Sequence, residues 1–285
     1  MLETESTPTP RPNRLRVIAT TSGKGGVGKT TMSCNLAALC AINGQRVLLL
    51  DADLGLANVE IIFDVHPRYH MGDLLDRQIP MDQVLCDGPR GIKILSAGTG
   101  VQRLTRLDEA QKLRLISALD PLEDLFDVVI VDTGSGIGDN VLFFAGASQE
   151  VLLVVSPEPT SLTDAYATVK VLSQQAGVRQ FNVVINPAPN DAVARGIFEK
   201  LVNVTNRFLN ARVSYVGYVP RDENIHRAVM SQRPVVDIFP QSPASRALAH
   251  VHARLFENTT STILDGGLKF LWQRVMRESQ AAAQG

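Results

Sequence analysis

Residues 20–35 read TTSGKGGVGKTTMSCN. Within this stretch Gly23, Lys24, Gly25, Gly26, Val27, Gly28, Lys29 and Thr30 fit the pattern G-x-x-x-x-G-K-[ST]. Glycines at this spacing let successive backbone N–H groups turn inward and cradle phosphate oxygens. The N-terminus of a following helix adds partial positive charge to the same place. In such a loop Lys29 reaches the β- and γ-phosphates, and the Thr30 hydroxyl ligates Mg²⁺, with Thr31 next to it in the phosphate-facing stretch. Lys24 has no task in that scheme. A phosphate loop needs one lysine, and this one has two.

Three aspartates close apolar runs. Asp51 and Asp53 end VLLLDAD, and Asp132 ends VVIVDT. Mg²⁺ takes oxygen ligands and keeps several waters, so a carboxylate at a strand end can hold it through water. A second carboxylate near the γ-phosphate can orient the attacking water. A lone aspartate at a strand end is more often a turn or cap residue. Three of them behind one glycine loop point to phosphoryl chemistry on a Mg²⁺-bound nucleotide.

These residues need a scaffold, and the rest of the sequence supplies its pattern. Apolar runs lie at 15–21, 46–53, 91–97, 126–133, 150–156, 181–187 and 213–220. Helical stretches alternate with them, at about 29–41, 107–119, 161–175, 191–209 and 242–257. Thr160, Ser161 and Thr163 are candidate caps for the third of these helices. Continuous apolar strands separated by helices predict an α/β fold: a mostly parallel sheet with helices on both faces. Ligands of such sheets sit at the carboxyl ends of the strands, where the three aspartates fall. The organisation expected is a disordered tail at 1–13, one α/β domain at 14–258 and a C-terminal tail at 259–285.

Composition narrows the class. Of 285 residues 45% are hydrophobic and 20% charged, and the formal net charge is −1. The chain is therefore not a polycation, and its arginines form no run of the kind a DNA-binding surface needs. The first residues hold no apolar stretch of a signal peptide, and no apolar run approaches the roughly 18 residues of a spanning helix. Cys34, Cys40 and Cys86 form no CxxC pair and read as free thiols.

GKGGVGKTT, followed by LLDADLGLAN and then VIVDT, resembles the deviant Walker A ATPases of the MinD/ParA family. The resemblance runs over residues 15–257 and implies a P-loop NTPase fold. It implies a homodimer formed face to face around two ATP molecules, with Lys24 of each subunit reaching the phosphates of the other. Lys29 is then the P-loop lysine and Thr30 the Mg²⁺ ligand. Asp51 matches the Mg²⁺-water aspartate, Asp53 the residue that positions the attacking water, and Asp132 the Walker B aspartate. Asn58 matches a switch I asparagine. Asn186, at the end of VVIN, matches a residue that reads adenine, and Pro220 and Asp222 match the adenine-side loop. Hydrolysis is expected to be slow and stimulated by dimerisation or by a partner. One departure stands out: the family's switch II often reads Pro-Ala-Gly or Ala-Ala-Gly after the aspartate and threonine, and here it is Gly134-Ser135-Gly136. Gly134 is expected to loosen that switch.

The stretch SPEPTSLTDAYATVKVL (156–172), with DLGLANVEIIF (53–63) and VTNRFLN (204–210), is similar to the flagellar-number regulators FlhG and FleN. That similarity implies a partner such as the flagellar enhancer-binding activator FleQ or the GTPase FlhF. The alternatives are a MinD-type division-site regulator and, further off, a ParA-like DNA-binding partition ATPase.

LKFLWQRVMRE (268–278) places Leu268, Leu271, Trp272, Val275 and Met276 on one helical stripe. A basic, Trp-bearing amphipathic helix at about 266–278 fits an interfacial membrane anchor, or a terminal helix docked on the body. The family resemblance favours the anchor, with residues 268–276 at the inner membrane surface and ATP-dependent peripheral association of an otherwise cytoplasmic protein.

Overall fold

The computed structural model describes residues 15–54, 58–98 and 106–257. The expected N-terminal tail and the amphipathic helix lie outside the described residues.

In chain order the elements are β1 (Arg16–Ser22), α1 (Lys29–Ile42), β2 (Val47–Ala52), α2 (Val59–Ile62), α3 (Met71–Arg77), α4 (Met81–Val84), β3 (Cys86–Asp87) and β4 (Lys93–Leu95). Then come α5 (Glu109–Leu119), β5 (Val128–Ser135), α6 (Asp139–Gly146), β6 (Glu150–Val155), α7 (Pro159–Gln175) and β7 (Gln180–Ile185). The chain continues through α8 (Asp191–Phe208), β8 (Arg212–Tyr218), α9 (Glu223–Met230), α10 (Val235–Ile238) and α11 (Pro243–Glu257). The strands form one sheet in the order β3-β4-β2-β5-β1-β6-β7-β8. All pairings are parallel except β3 with β4.

Every residue of β1, β2 and β6 is buried, which is why these strands read as unbroken apolar runs. Successive side chains still divide between two cores. Val17, Ala19, Leu48 and Leu50 face one layer, with residues of α3, α5, α6, α7 and α8. Ile18, Val47 and Leu49 face the other, with residues of α1, α9, α10 and α11. The short pieces α2, α3, α4, β3, α9 and α10 had no clear period in the sequence.

The cap of α7 differs from expectation. Its N-cap is Glu158, with Pro159 at the first helical position. Pro159 needs no N–H partner there. The Ser161 hydroxyl instead accepts from the Ser156 N–H, 3.0 Å away, and ties the helix back to the end of β6.

Candidate functional site

The glycine loop leaves β1 at Ser22 and enters α1 at Lys29, the strand-to-helix setting that a phosphate cradle requires. Its root is fixed. The Ser22 hydroxyl donates to the Lys24 carbonyl at 2.8 Å, and the Gly136 N–H donates to the Ser22 carbonyl at 2.8 Å. The end of β5 thus moves with the start of the loop.

Two of the glycines are sterically required. Gly28 sits in the left-handed region at φ 87°, and a Cβ there would lie 2.5 Å from the Asn186 amide nitrogen. At Gly23 a Cβ would lie 2.5 Å from the backbone of Asp164 in α7. The loop is therefore pressed between β7's end and α7.

Asn186 packs on the loop itself. Its side-chain amide donates to the Val27 carbonyl at 2.7 Å. Thr31 lies in the first turn of α1, where its carbonyl accepts from the Asn35 amide at 2.7 Å.

The sheet order then brings the acids together. β5 inserts between β2 and β1, and Asp51 and Asp132 fall directly opposite each other in the ladder. Both are fully buried. The Lys29 ammonium lies 3.7 Å from Asp53 Oδ2 and 3.9 Å from Asp132 Oδ1. Ser33, one turn after Lys29, donates to Asp132 Oδ1 at 2.9 Å. Asp132 Oδ2 is buried and makes no hydrogen bond among the described residues.

Electrostatics follow from this crowding. Burial pushes the Asp132 carboxyl above the usual carboxylate range, while Lys29 and hydrogen bonds from Thr30 and Ser33 pull it back. Burial, and then repulsion by Asp132, push Asp51 well above that range. The same acids and the same burial raise the Cys34 thiol, which keeps it protonated and unreactive. Burial pushes Cys40 up to about 12. All three cysteines are free thiols.

Asp51 also has a role that the sequence did not disclose. Its carboxylate accepts the N–H groups of Asp53 at 3.1 Å and of Asn58 and Val59 at 3.2 Å each. It pins both ends of the segment between β2 and α2. Asn58 is the N-cap residue of α2.

Lys24 is exposed and forms an ion pair with Glu158 of its own chain. Glu158, with Asp164 as a weaker contributor, raises its pKa, so the ammonium stays charged. Exposed pairs of this kind hold little free energy. Nothing in the pair prevents Lys24 from turning to another anion.

Pro220 and Asp222 lie further out. Pro220 borders a cavity at the β8 edge. Asp222 caps α9 through the Asn224 N–H at 2.9 Å and accepts the Ala244 N–H at 3.0 Å, which joins the starts of α9 and α11. Its carboxylate is engaged by the fold.

The donor set fits a hydrated Mg²⁺. A hydroxyl at Thr30, a buried carboxylate with an unsatisfied oxygen at Asp132 and a second carboxylate at Asp51 leave room for phosphate and water ligands. Among the described residues no group of three His, Cys, Asp or Glu side chains is placed to hold a metal alone.

A parallel sheet, a glycine loop opening α1 and an acid pair beside the loop lysine define a P-loop nucleoside triphosphatase. Comparison with known proteins agrees. The ParA family model, described as NUBPL iron-transfer P-loop NTPase, matches residues 13–256, and the chain belongs to this family. The chain is 43% identical over 263 residues to the antiactivator FleN of Pseudomonas aeruginosa, a match spanning 92% of this chain and 94% of that protein. It is 28% identical over 266 residues to the flagellum site-determining protein YlxH of Helicobacter pylori, spanning 92% and 90% of the two chains. Among solved structures, the MinC:MinD cell division protein complex of Aquifex aeolicus superimposes with a TM-score of 0.70 at 27% identity, over 88% of this chain and all of that one.

Proposed function

We propose that this protein is an ATP-driven dimerisation switch that limits flagellar number by restraining a flagellar transcriptional activator. The observation that carries this reading is the 43% identity to an antiactivator over nearly the full length of both chains. The likeness to a flagellum site-determining protein supports the same process.

At the site, backbone N–H groups of residues 23–30 bind the phosphates, and Lys29 neutralises the β- and γ-phosphates. Thr30, Asp132 and Asp51 would hold Mg²⁺, which would supply positive charge to the phosphate oxygens. Asp53, within 3.7 Å of Lys29 and partly open to solvent, orients the attacking water. Asn58, Asn186 and Pro220 border the nucleotide. Asp222 supports that border from behind, through its hold on α9 and α11. Lys24 leaves Glu158 and reaches the phosphates bound by a second subunit, so that dimerisation reports the bound nucleotide.

The partners that fit are a FleQ-like activator or an FlhF-like GTPase. Residues 268–276 anchor the dimer at the membrane surface. One short amphipathic helix binds weakly, whereas two on a dimer gain about 10²–10⁴-fold by avidity. Among the described residues no helix is long and apolar enough to cross a membrane.

A deletion strain viewed by electron microscopy tests the biological role. Extra flagella are expected. Minicells with normal flagella would instead favour a division-site role, the reading that the likeness to the MinC:MinD complex keeps alive.

A further inference from the structure

The sheet has two edges, and they are finished differently. At one edge β3 is only two residues long, antiparallel, and its Asp87 is paired with Lys93. Short, charged edge strands discourage pairing with another chain. At the other edge β8 is seven residues long and, among the described residues, has β7 as its only strand neighbour.

The backbone of β8 is therefore half unused. Arg212 donates its N–H to the Arg179 carbonyl on the β7 side at 2.8 Å. Alternation along the strand then turns the N–H and C=O groups of Val213 and Tyr215 out of the sheet. Among the described residues neither makes a backbone hydrogen bond there. The ladder next slips: Val183 pairs with Tyr215 but Val184 with Gly217, which leaves Val216 as the extra residue of a bulge. A bulge bends its strand.

Beyond that bend the edge opens into a cavity of about 430 Å³ between α8 and α11. Arg195, Arg246 and Arg254 line it with His250, against the single carboxylate of Asp191. Asp191 is already engaged, accepting from Arg195 at 2.5 Å and from the Tyr215 hydroxyl at 2.8 Å. Among the described residues Arg246 and Arg254 have no carboxylate at ion-pair distance, although Arg254 also acts on Asp191 from further off. In a chain of net charge −1 this surplus of guanidinium is local.

We propose that the β8 edge is a docking site for an extended, acidic segment of a partner protein. The segment adds as a strand beside residues 213–215 and places its carboxylates on Arg246 and Arg254 beyond the bulge. An open strand edge selects an extended chain, because its main-chain groups need partners in register. The unpaired guanidiniums select acidic side chains. A second copy of this protein is disfavoured, because pairing β8 with itself would set Arg212 and the cavity arginines against their own kind. Of the residues assigned to the nucleotide, Pro220 at the base side lines the cavity, but no residue of the glycine loop and none of Asp51, Asp53 and Asp132 does, so Arg246 and Arg254 can be changed without touching the phosphate site.

The test uses the full-length protein and two fluorescein-labelled seven-residue peptides, one alternating Val and Glu, the other Val and Lys. Fluorescence anisotropy is expected to show binding of the acidic peptide and none of the basic one. The double variant Arg246→Glu/Arg254→Glu is expected to weaken that binding by about tenfold or more while ATP affinity stays unchanged. Hydrogen exchange of the amides in 212–218 is expected to slow when the acidic peptide is present. Equal binding by the double variant, no binding of the acidic peptide, binding without slower exchange in β8, or self-association through this edge would each overturn the proposal.

Discussion

Two buried polar clusters lie at opposite ends of the same sheet. At the N-terminal ends of the strands, Arg16 on β1 donates to Glu150 on β6 at 2.8 Å and to the Leu255 carbonyl of α11 at 2.5 Å. The other Glu150 oxygen accepts from Asn182 on β7 at 2.8 Å. At the C-terminal ends, Asp51 and Asp132 face each other with one cation, Lys29, about 4 Å away, and one carboxylate oxygen has no partner. In the first cluster the charges balance and both Glu150 oxygens are used; what it leaves over is a neutral amide oxygen, Asn182 Oδ1. The second has more carboxylates than its lysine neutralises, and burial pushes both Asp51 and Asp132 up, Asp51 further by repulsion from Asp132. Burying charge without its partner is costly. A fold that tolerates this cost at one end and avoids it at the other marks where a divalent cation, held together with a nucleotide's phosphates, would supply the missing charge.

The largest effect is expected from opening the completed cluster. Glu150→Ala leaves the Arg16 guanidinium buried without its carboxylate and is expected to cost about 3–5 kcal/mol of stability, read by urea denaturation. Nucleotide affinity of the folded fraction should be unchanged. A loss confined to nucleotide binding would erase the contrast between the two ends.

Gly28→Ala acts at the other end. A side chain there costs about 1–2 kcal/mol for the left-handed backbone alone and collides with the Asn186 amide. Nucleotide affinity, measured by calorimetry, should fall by about tenfold or more. Wild-type affinity would show that the loop does not need this geometry.

The third expectation is a dependence on pH. In the ligand-free protein Asp51 and Asp132 hold their protons more tightly than in the unfolded chain. Between the ordinary carboxylate pKa and their raised values the folded form binds more protons. Their contribution to stability therefore falls as pH rises through that window. Asp51→Asn keeps an acceptor oxygen for the Asn58 and Val59 N–H groups, gives up the one that takes the Asp53 N–H, and removes the charge. Its stability relative to wild type should grow as pH rises, as urea titrations at several pH values would show, and a difference that is flat with pH would contradict the raised acid.

Gly134→Ala should do least. A Cβ at this position meets Asp53 and Val141 at 3.7 Å, an ordinary contact, and Gly134 lies within β5. A change within about 0.5 kcal/mol is expected in thermal unfolding. The space for an alanine, one of the family's residues here, is present, so the looser switch inferred from the sequence would have to show itself in the hydrolysis rate.

Much of this was legible before the fold was known. β1, the glycine loop and α1 were readable because a local motif and a local period coincide there. The seven apolar runs became strands, since strands buried on both faces announce themselves by composition. The order of those strands was not readable. Nothing local to VVIVDT states that β5 inserts between β2 and β1, yet that insertion puts Asp132 beside Asp51. The pinning of residues 53, 58 and 59 by Asp51 was hidden for the same reason, because it depends on how the chain returns after β2. The contact of Ser33 with Asp132 had a usable signal: Ser33 is four residues after Lys29 and shares its helix face. The engagement of Asp222 by the Ala244 N–H carried none, since 22 residues separate the partners.

In the proposed switch, Lys24 is the residue on which dimerisation turns. In the single chain it rests on Glu158, exposed and readily given up. Sedimentation velocity of Lys24→Ala with a non-hydrolysable ATP analogue, beside a direct measurement of nucleotide affinity, tests its role most directly. The expected result is near wild-type affinity in a protein that stays monomeric. A Lys24→Ala protein that dimerises with the analogue as wild type does would contradict a lysine that acts on the other subunit's phosphates.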